Sequence, residues 1–348
     1  MLTRLSSDTH EEVYRVEDTQ TGLKGVIALH STVLGPAAGG LRMRVYESDE
    51  AALADALNLS RGMSFKNAAA GLPLGGGKAV IMGDPARDKS PALLRAMGRA
   101  VEALQGRYWT AEDMGMTPAD MAEIARETRF VAGRDEGRHA SGDPSPVTAR
   151  GVFDAMRRGA ARVFGSDDPN GRRVAVQGLG HVGWHLCRLL HEAGATLVVA
   201  DMDSARVAQT VRDFNAESAA PEAIHTVAAD IFAPCAIGGT LNARTIPDMK
   251  ARLIAGAANN QLETLADADR LHDRGILYLP DYVANGGGII NAATEILAIG
   301  DRAQWVEEKL ATLSATMNRI LTRAAAEGTS PAHLADRIVE ERMLRKAG

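Results

Sequence analysis

Two lysines stand beside a run of glycines and could carry amine chemistry. Lys66 lies upstream of Gly75–Gly77, which directly precede Lys78. The segment is not a phosphate-binding P-loop, because Leu72 stands where the first glycine belongs and Ala79 where Ser or Thr would bind magnesium. Glycines admit backbone and substrate close to the lysine, and an amine in such an apolar setting loses proton affinity, as a catalytic lysine requires. For an isolated lysine, a solvated surface position is the commoner interpretation.

A second glycine motif has the spacing of a dinucleotide site. Residues 178–183 read GLGHVG, follow an apolar strand pattern at 173–177 and open a helical pattern that runs to about Glu192. Such glycines permit a tight turn and close approach of a pyrophosphate, to which the helix N-terminus offers N–H donors. Asp201 follows the strand at 196–200. An acid at this point accepts hydrogen bonds from the ribose hydroxyls of NAD and repels the 2′-phosphate of NADP. We therefore expect NAD rather than NADP; the alternative is a tight turn with an incidental surface Asp.

Composition narrows the class of protein. The chain has 348 residues, 45% of them hydrophobic and 24% charged, with a net charge of −5. These values are ordinary for a globular protein of two domains and give no electrostatic basis for binding nucleic acid or a membrane surface. No signal peptide or membrane-spanning run is evident. Cys187 and Cys235 lack CxxC spacing, so no disulfide is expected and a reducing cytoplasm fits.

A metal site is not expected either. His181 and His185 have the i,i+4 spacing of helical ligands, but Val182 breaks the HExxH pattern and no third ligand is evident. Tyr108 and Trp109 are predicted to be core aromatics rather than a stacking platform.

Apolar periodicity predicts the elements that must position these residues. Residues 49–63 predict an amphipathic helix, and a glycine-rich stretch at 71–77 precedes a predicted strand at 79–82. Ser90 is placed to cap a helix over 90–105.

A turn-rich stretch at 141–148 (SGDPSPVT) predicts the crossing between domains and a hinge. Beyond it, strands alternate with helices, which implies parallel βαβ units. The strands are predicted at 173–177, 196–200, 224–228, 252–256 and 276–279.

The predicted fold class is therefore α/β with two domains and an active-site cleft between them. An N-terminal α/β substrate and oligomerisation domain is expected at 1–140, and a Rossmann-type, doubly wound NAD-binding domain at 141–320. The charged, helical tail from about 303 is expected to return to the first domain with its last helix, about 320–348.

Seven motifs in order resemble those of the glutamate/leucine/phenylalanine/valine dehydrogenase family. They span about residue 10 to residue 300, and the likeness is greatest to the leucine and phenylalanine dehydrogenase branch. The motifs are GPAAGGLRM (35–43), the segment 66–78, TAEDMG (110–115), SGDPSPVTARG (141–151), GLGHVG (178–183), GAANNQL (256–262) and YVANGGGIIN (282–291).

The resemblance implies a reaction and its catalytic groups. The reaction is reversible oxidation of an apolar L-amino acid by NAD to the 2-oxo acid, ammonia and NADH. Lys66 matches the residue that binds the substrate carboxylate, Lys78 the catalytic lysine and Asp113 the acid/base carboxylate. A homo-oligomer, a dimer or larger, is expected.

The resemblance also implies the binding residues. Substrate contacts are expected at Gly39, Gly40, Lys66 and Asn259, with Ala38, Ala111, Ile289 and Ala292 around the side chain. Cofactor contacts are expected at Arg42, Thr148, Gly178, Leu179, Gly180, His181, Val182, Gly183, Asp201, Met202, Ala236, Ile237, Ala257, Ala258 and Asn259.

The side-chain pocket so implied carries no charge, which disfavours glutamate. Leucine-type relatives carry a larger aliphatic residue at the position of Ala292, so the pocket should be larger here. Leucine, valine and isoleucine stay open as substrates, and so does phenylalanine. The same residues argue against two other classes of protein. A retired NAD-binding sensor has little reason to keep Lys66, Lys78 and Asp113 together, and a hydroxy-acid dehydrogenase would need a His–carboxylate pair that is not evident.

Overall fold

The computed structural model describes residues 2–134, 137 and 139–347. It divides into two compact units. Unit 1 comprises Met1–Pro144, Ile289–Glu307 and Glu340–Gly348, and unit 2 comprises Ser145–Gly288 and Glu308–Val339.

Unit 1 contains a mixed six-stranded sheet in the order β1-β2-β3-β5-β4-β6. The β1–β2, β2–β3 and β3–β5 pairs are antiparallel, whereas β4 pairs in parallel with β5 and β6. The strands are β1 (Leu2–Leu5), β2 (Glu12–Asp18), β3 (Leu23–Ser31), β4 (Ala37–Arg44), β5 (Gly75–Met82) and β6 (Tyr108–Glu112).

Helices cover both faces of this sheet. They are α1 (Asp49–Ala69), α2 (Pro91–Glu102) and α3 (Pro118–Ile124). The side chains of Ser48 and Ser90 accept backbone N–H groups at the starts of α1 and α2, as N-caps do. Val80 of β5 packs in a cluster with Ala52 and Ala56 of α1, whereas the next residue, Ile81, packs in the core that contains α2. Alternate strand residues therefore face opposite helices.

Unit 2 contains a parallel six-stranded sheet in the order β12-β11-β10-β7-β8-β9. This is the Rossmann strand order, whose direction of winding changes between β7 and β10. The strands are β7 (Arg173–Gln177), β8 (Thr196–Ala200), β9 (Glu217–Ser218), β10 (Ile231–Pro234), β11 (Leu253–Ile254) and β12 (Leu277–Tyr278). The mixed sheet and the parallel sheet confirm the predicted α/β class with two domains.

The remaining helices follow in chain order. They are α4 (Ser145–Phe164), α5 (His181–Glu192), α6 (Ser204–Phe214), α7 (Ala266–Asp273), α8 (Asp281–Ala284), α9 (Gly287–Ile296), α10 (Arg302–Glu327) and α11 (Pro331–Ala347). Among the described helices, none is long and apolar enough to cross a membrane.

Three local predictions were wrong. The helix predicted at 49–63 continues to Ala69, and the strand predicted at 79–82 begins already at Gly75, because Gly75–Gly77 pair with β3 and β4. The strand predicted at 224–228 is a 3-10 turn over Ile224–Thr226 that buries Ile224; the strand forms at β10 instead.

Candidate active site

A lysine and a carboxylate form a close pair on the sheet of unit 1. Nζ of Lys78 lies 2.7 Å from Oδ2 of Asp113. Lys78 is in β5 and only 5% exposed, and Asp113 directly follows β6. The two strands flank β4 on either side, and the strand registers place Lys78, in the middle of β5, level with the carboxyl end of β6. The sequence-predicted catalytic groups are therefore adjacent.

Small residues surround the Lys78 side chain. Ala28 of β3 pairs with Lys78, and the β4–β5 register places Gly40 on its other side; Gly40 in turn pairs with Ala111. A methyl group on Gly40 would lie 3.1 Å from Nζ of Lys78 and 2.8 Å from Cβ of Asp113. Glycine at this position therefore leaves the space in which the pair meets.

Burial and charge set the protonation of this pair. Burial lowers the pKa of the Lys78 amine, although the negative charge of Asp113 acts in the opposite direction. Burial alone would raise the pKa of Asp113, but the positive charges of Lys78 and Arg42 outweigh it and hold that pKa at about 2. Asp113 is therefore a carboxylate at neutral pH, and Lys78 gives up its proton more readily than a surface lysine.

Arg42, which the sequence associated with the cofactor, is engaged by two carboxylates of unit 1. Its Nε donates to Oδ2 of Asp113 at 3.0 Å, and its Nη1 lies 3.1 Å from Oδ2 of Asp55 in α1. The Tyr46 hydroxyl donates to the same Asp55 oxygen at 2.7 Å. Sequence reasoning missed Asp55 and Tyr46, because neither belongs to a motif and Asp55 on a helix resembles a solvated surface residue.

Lys66 lies in the last turn of α1, the helix that packs on the glycine strand. Next to it, Asn67 is fully buried and donates through Nδ2 to the carbonyl of Gly75 at 2.5 Å. This bond fixes the end of α1 to the start of β5. The chain segment between the two lysines is thus held at both of its ends.

Other predicted substrate residues lie on β4, on β6 and in α9. Gly39 and Gly40 accept hydrogen bonds at their carbonyls from the hydroxyl of the buried Tyr108, at 3.1 and 3.2 Å. Ala38 is fully buried, Ala111 is half-buried and, on α9, Ile289 is buried and Ala292 half-buried. The predicted role of Tyr108 as a core aromatic is confirmed, and Trp109 packs edge-on against Phe130.

A buried carboxylate on α9 was also missed by sequence reasoning. The Glu295 side chain is 1% exposed and accepts the N–H of Gly133 at 2.8 Å and the hydroxyl of Ser141 at 3.0 Å. Asn291 donates to the carbonyl of Ser141 at 3.0 Å. These bonds fix the position of α9, which carries Ala292, within unit 1. The sequence signal that could have identified Glu295 was an acidic residue inside an otherwise apolar helix.

The glycine loop of unit 2 has the geometry of a dinucleotide site. Gly178 has φ of 94°, and a methyl group there would lie 2.7 Å from Cβ of Ala236. A methyl group on Gly183 would lie 2.0 Å from the Gly178 carbonyl oxygen. Around Gly180, by contrast, the nearest atom to such a group is Nη1 of Arg206 at 4.0 Å. The residues of the loop therefore fit a pyrophosphate over Gly180, at the N-terminus of α5, where His181 and Val182 form the first turn.

Asp201 follows β8 beside this loop. Its Oδ2 accepts the N–H of Leu179 at 2.6 Å and its Oδ1 accepts that of Asp203 at 2.8 Å. Met202 and Ile237, both predicted cofactor contacts, are 89% and 74% exposed, which is unusual for large apolar side chains.

The remaining predicted cofactor residues also lie in unit 2. Thr148 is buried in α4. Asn285 donates through Nδ2 to the carbonyl of Ala257 at 3.1 Å and to Oδ1 of the exposed Asn259 at 2.9 Å. The Ala258 N–H donates to the Pro234 carbonyl at 2.9 Å.

Within the described residues, no cluster of three or more His, Cys, Asp or Glu side chains could hold a metal ion. Cys187 is buried in α5, as predicted, and burial raises its pKa. Burial also raises the pKa of Cys235, to about 12.

Comparison with known proteins covers almost the whole chain. Residues 10–130 match the model of the Glu/Leu/Phe/Val dehydrogenase dimerisation domain. Residues 141–207 and 200–340 match the model of Glutamate/Leucine/Phenylalanine/Valine dehydrogenase.

Individual relatives extend over nearly their full lengths. A leucine dehydrogenase of Bacillus subtilis (strain 168) is 49% identical over 337 residues, which are 97% of this chain and 92% of the relative. A valine dehydrogenase of Streptomyces virginiae is 46% identical over 338 residues, 96% of this chain and 94% of the relative. The crystal structure of an L-tryptophan dehydrogenase from Nostoc punctiforme superposes with a TM-score of 0.84 and 40% identity, covering 97% of both chains.

Proposed function

Because this chain belongs to the Glu/Leu/Phe/Val dehydrogenase family, we propose that it deaminates apolar L-amino acids oxidatively with NAD, through Lys66, Lys78 and Asp113. The chain is an NAD(P)-dependent amino acid dehydrogenase of the leucine/valine class, an oxidoreductase that acts on CH–NH2 donors. The choice of NAD and the residue roles are the proposal.

The observation that carries the proposal is the 2.7 Å contact between Lys78 and Asp113. Deamination needs one group that is ionised and accepts a proton, and another that exchanges a proton near neutral pH. The low pKa of Asp113 keeps its carboxylate ionised, and burial lowers the pKa of the Lys78 amine, which eases its exchange of a proton. Gly40 leaves the room in which the two groups meet, since a methyl group there would lie 3.1 Å from Nζ of Lys78.

Each residue then has a distinct task. Lys66 binds the substrate carboxylate through a charge-assisted hydrogen bond and so fixes the α-carbon. The Asp113 carboxylate accepts a proton from the substrate ammonium group, and the freed lone pair forms the C=N bond. Lys78 takes a proton from the water that attacks the iminium carbon and returns it to the amino group of the carbinolamine so formed. The C–N bond then breaks, ammonia leaves, and the hydroxyl proton passes to Lys78, which yields the 2-oxo acid.

Bound NAD supplies the acceptor for the hydride that leaves the α-carbon. The loop at 178–183 would hold its pyrophosphate. Asp201 would accept hydrogen bonds from the ribose hydroxyls. Each of its carboxylate oxygens already accepts one backbone N–H and keeps a further lone pair for this purpose. A negative charge at Asp201 disfavours the 2′-phosphate of NADP.

The pocket around the substrate side chain is proposed to consist of Ala38, Ala111, Ile289 and Ala292. None of them can neutralise a second carboxylate, so apolar side chains are preferred over glutamate. We also propose a homo-oligomer, since residues 10–130 match a dimerisation domain.

The test is NADH formation by the purified protein with each standard L-amino acid. Lys78→Ala should abolish turnover while NAD still binds, because Lys78 and the glycine loop lie in different units. Lys66→Ala should chiefly raise KM for the amino acid, since it removes binding common to the ground state and the transition state. Near wild-type turnover in Lys78→Ala would show that the mechanism is wrong.

A further inference from the structure

We propose that Arg42 is a positioning residue for the reaction: braced by Asp55 and Tyr46, it fixes the Asp113 carboxylate against Lys78 and keeps a permanent positive charge beside that pair. This role rests on the proposed function, because it assumes that Lys78 and Asp113 are the groups that exchange protons.

Two donors from neighbouring strands meet on one oxygen of Asp113. Nζ of Lys78 in β5 lies 2.7 Å from Oδ2, and Nε of Arg42 in β4 lies 3.0 Å from the same atom. Two charge-assisted bonds to Oδ2 prevent the carboxylate from rotating. The lone pairs of the carboxylate that these bonds leave are then offered to a substrate amino group in one fixed orientation.

The bracing of Arg42 comes from the helix side of the sheet. Nη1 lies 3.1 Å from Oδ2 of Asp55, and the Tyr46 hydroxyl donates to that oxygen at 2.7 Å. The Arg42 side chain is only 15% exposed, so these pairs are largely shielded from solvent. A planar guanidinium can serve both carboxylates at once, which the single ammonium group of a lysine cannot do in the same geometry.

Charge gives Arg42 a second effect. Its positive charge lowers the pKa of Asp113 and that of Lys78, whereas the charge of Asp55 raises the pKa of Lys78. The groups that face the pair are Arg42 from β4, Asp55 from α1 and Tyr108 from β6, with Tyr46 behind Asp55. Loss of the Arg42 charge should therefore move both titrations to higher pH, and loss of the Asp55 charge should move that of Lys78 to lower pH.

The experiment measures kcat/KM for L-leucine against pH, and KM for NAD, in wild type, Arg42→Met, Arg42→Lys and Asp55→Asn. Arg42→Met should lower kcat at least about tenfold, because the Asp113 carboxylate loses its orientation. It should also move the ascending limb of the kcat/KM profile to higher pH by about one unit. Arg42→Lys should return the limb to the wild-type pH while kcat stays low, and Asp55→Asn should move the limb down. Arg95→Met is the control, because it removes an arginine paired with Glu123 on the α2 face.

The outcomes separate the alternatives. An unmoved limb in Arg42→Met together with a raised KM for NAD would overturn the proposal and assign Arg42 to the cofactor. If Arg42→Met does not fold, the Asp55→Asn variant tests the proposal instead. An ascending limb that stays at the wild-type pH in Asp55→Asn overturns the proposal. A wild-type protein that forms no NADH with any amino acid would instead overturn the proposed function, and this role with it.

Discussion

A methyl group on Gly76 would lie 2.1 Å from the backbone nitrogen of Ser64. Strand β5 and helix α1 therefore touch at a point where only glycine fits. The contact lies two residues before Lys78 on the strand and two residues before Lys66 on the helix. Both lysines thus depend on the same close approach of backbone to backbone.

Gly76→Ala should destabilise the protein by about 1–3 kcal/mol, because the atom that the methyl group meets is backbone and cannot rotate away. Displacement of α1 should also raise KM for the amino acid through Lys66. Gly62→Ala on the exposed side of α1 is the matched control: it meets no atom within 4 Å and should stabilise by up to about 1 kcal/mol. Urea unfolding measures both effects, and equal stabilities of the two variants would contradict the packing argument.

Asp113→Asn should lower kcat by about a hundredfold or more, because it removes the proton acceptor. It should also change how stability depends on pH. The folded-state pKa of Asp113, about 2, lies below its ordinary value of 3.8, so its contribution is present above about pH 4 and is lost as the pH falls towards 2.

That contribution is about 2 kcal/mol at neutral pH. The free energy of unfolding of Asp113→Asn should therefore fall less steeply between pH 4 and pH 2 than that of wild type. Asp273→Asn, at an exposed position on α7, is the control and should follow the wild-type curve. Identical slopes for wild type and Asp113→Asn would show that Asp113 is not held as a carboxylate by its neighbours.

Sequence alone predicted most of the nucleotide-binding elements. The strands at 173–177 and 196–200 and the helix that ends at Glu192 have the predicted bounds, since apolar runs there are delimited by glycine and by a clear change of period. The strand predicted at 79–82 was begun four residues too late, because local propensity disfavours glycine in strands. Only the pairing of Gly75–Gly77 with β3 and β4, and the contact with α1, explain why they form one.

The supporting residues of the site were beyond sequence reasoning for a related reason. Asp55 is connected to Asp113 only through Arg42, which contacts both carboxylates, and Glu295 accepts hydrogen bonds from Gly133 and Ser141, more than 150 positions away. Such contacts depend on which strands and helices become neighbours in the fold. No local spacing predicts them, whereas the motif-borne residues Lys78 and Asp113 could be named from the resemblance.

Asp201→Ser should shift cofactor use towards NADP. The change removes the negative charge that would face a 2′-phosphate. A guanidinium is nearby on α6, since Nε of Arg206 lies 3.4 Å from Oδ2 of Asp203, two residues after Asp201. The ratio of kcat/KM for NADP over NAD should rise by about tenfold or more. Asp201→Ser combined with Arg206→Gln should lose most of that gain, and Asp213→Asn, exposed on α6, is the charge control. Equal use of NADP and NAD by the wild type would contradict this role for Asp201.

Ala292→Val tests the side-chain pocket. The bonds of Glu295 to Gly133 and Ser141 hold α9 in place, so the helix cannot easily shift to accommodate added methyl groups. Overfilling a packed site costs about 1–3 kcal/mol, and that cost should fall on bulky substrates while sparing valine. The ratio of kcat/KM for phenylalanine over valine should therefore drop by roughly tenfold or more.

The measurement is a set of steady-state rates with both amino acids at saturating NAD, for wild type, Ala292→Val and Ala303→Val. Ala303 is an exposed position in α10, so the same substitution there should leave the ratio unchanged. If Ala292→Val also leaves the ratio unchanged, residue 292 does not face the substrate side chain. The assignment of the segment 282–291 and its neighbours to the pocket would then be out of register, and specificity would have to reside in Ala38 and Ala111 on the sheet.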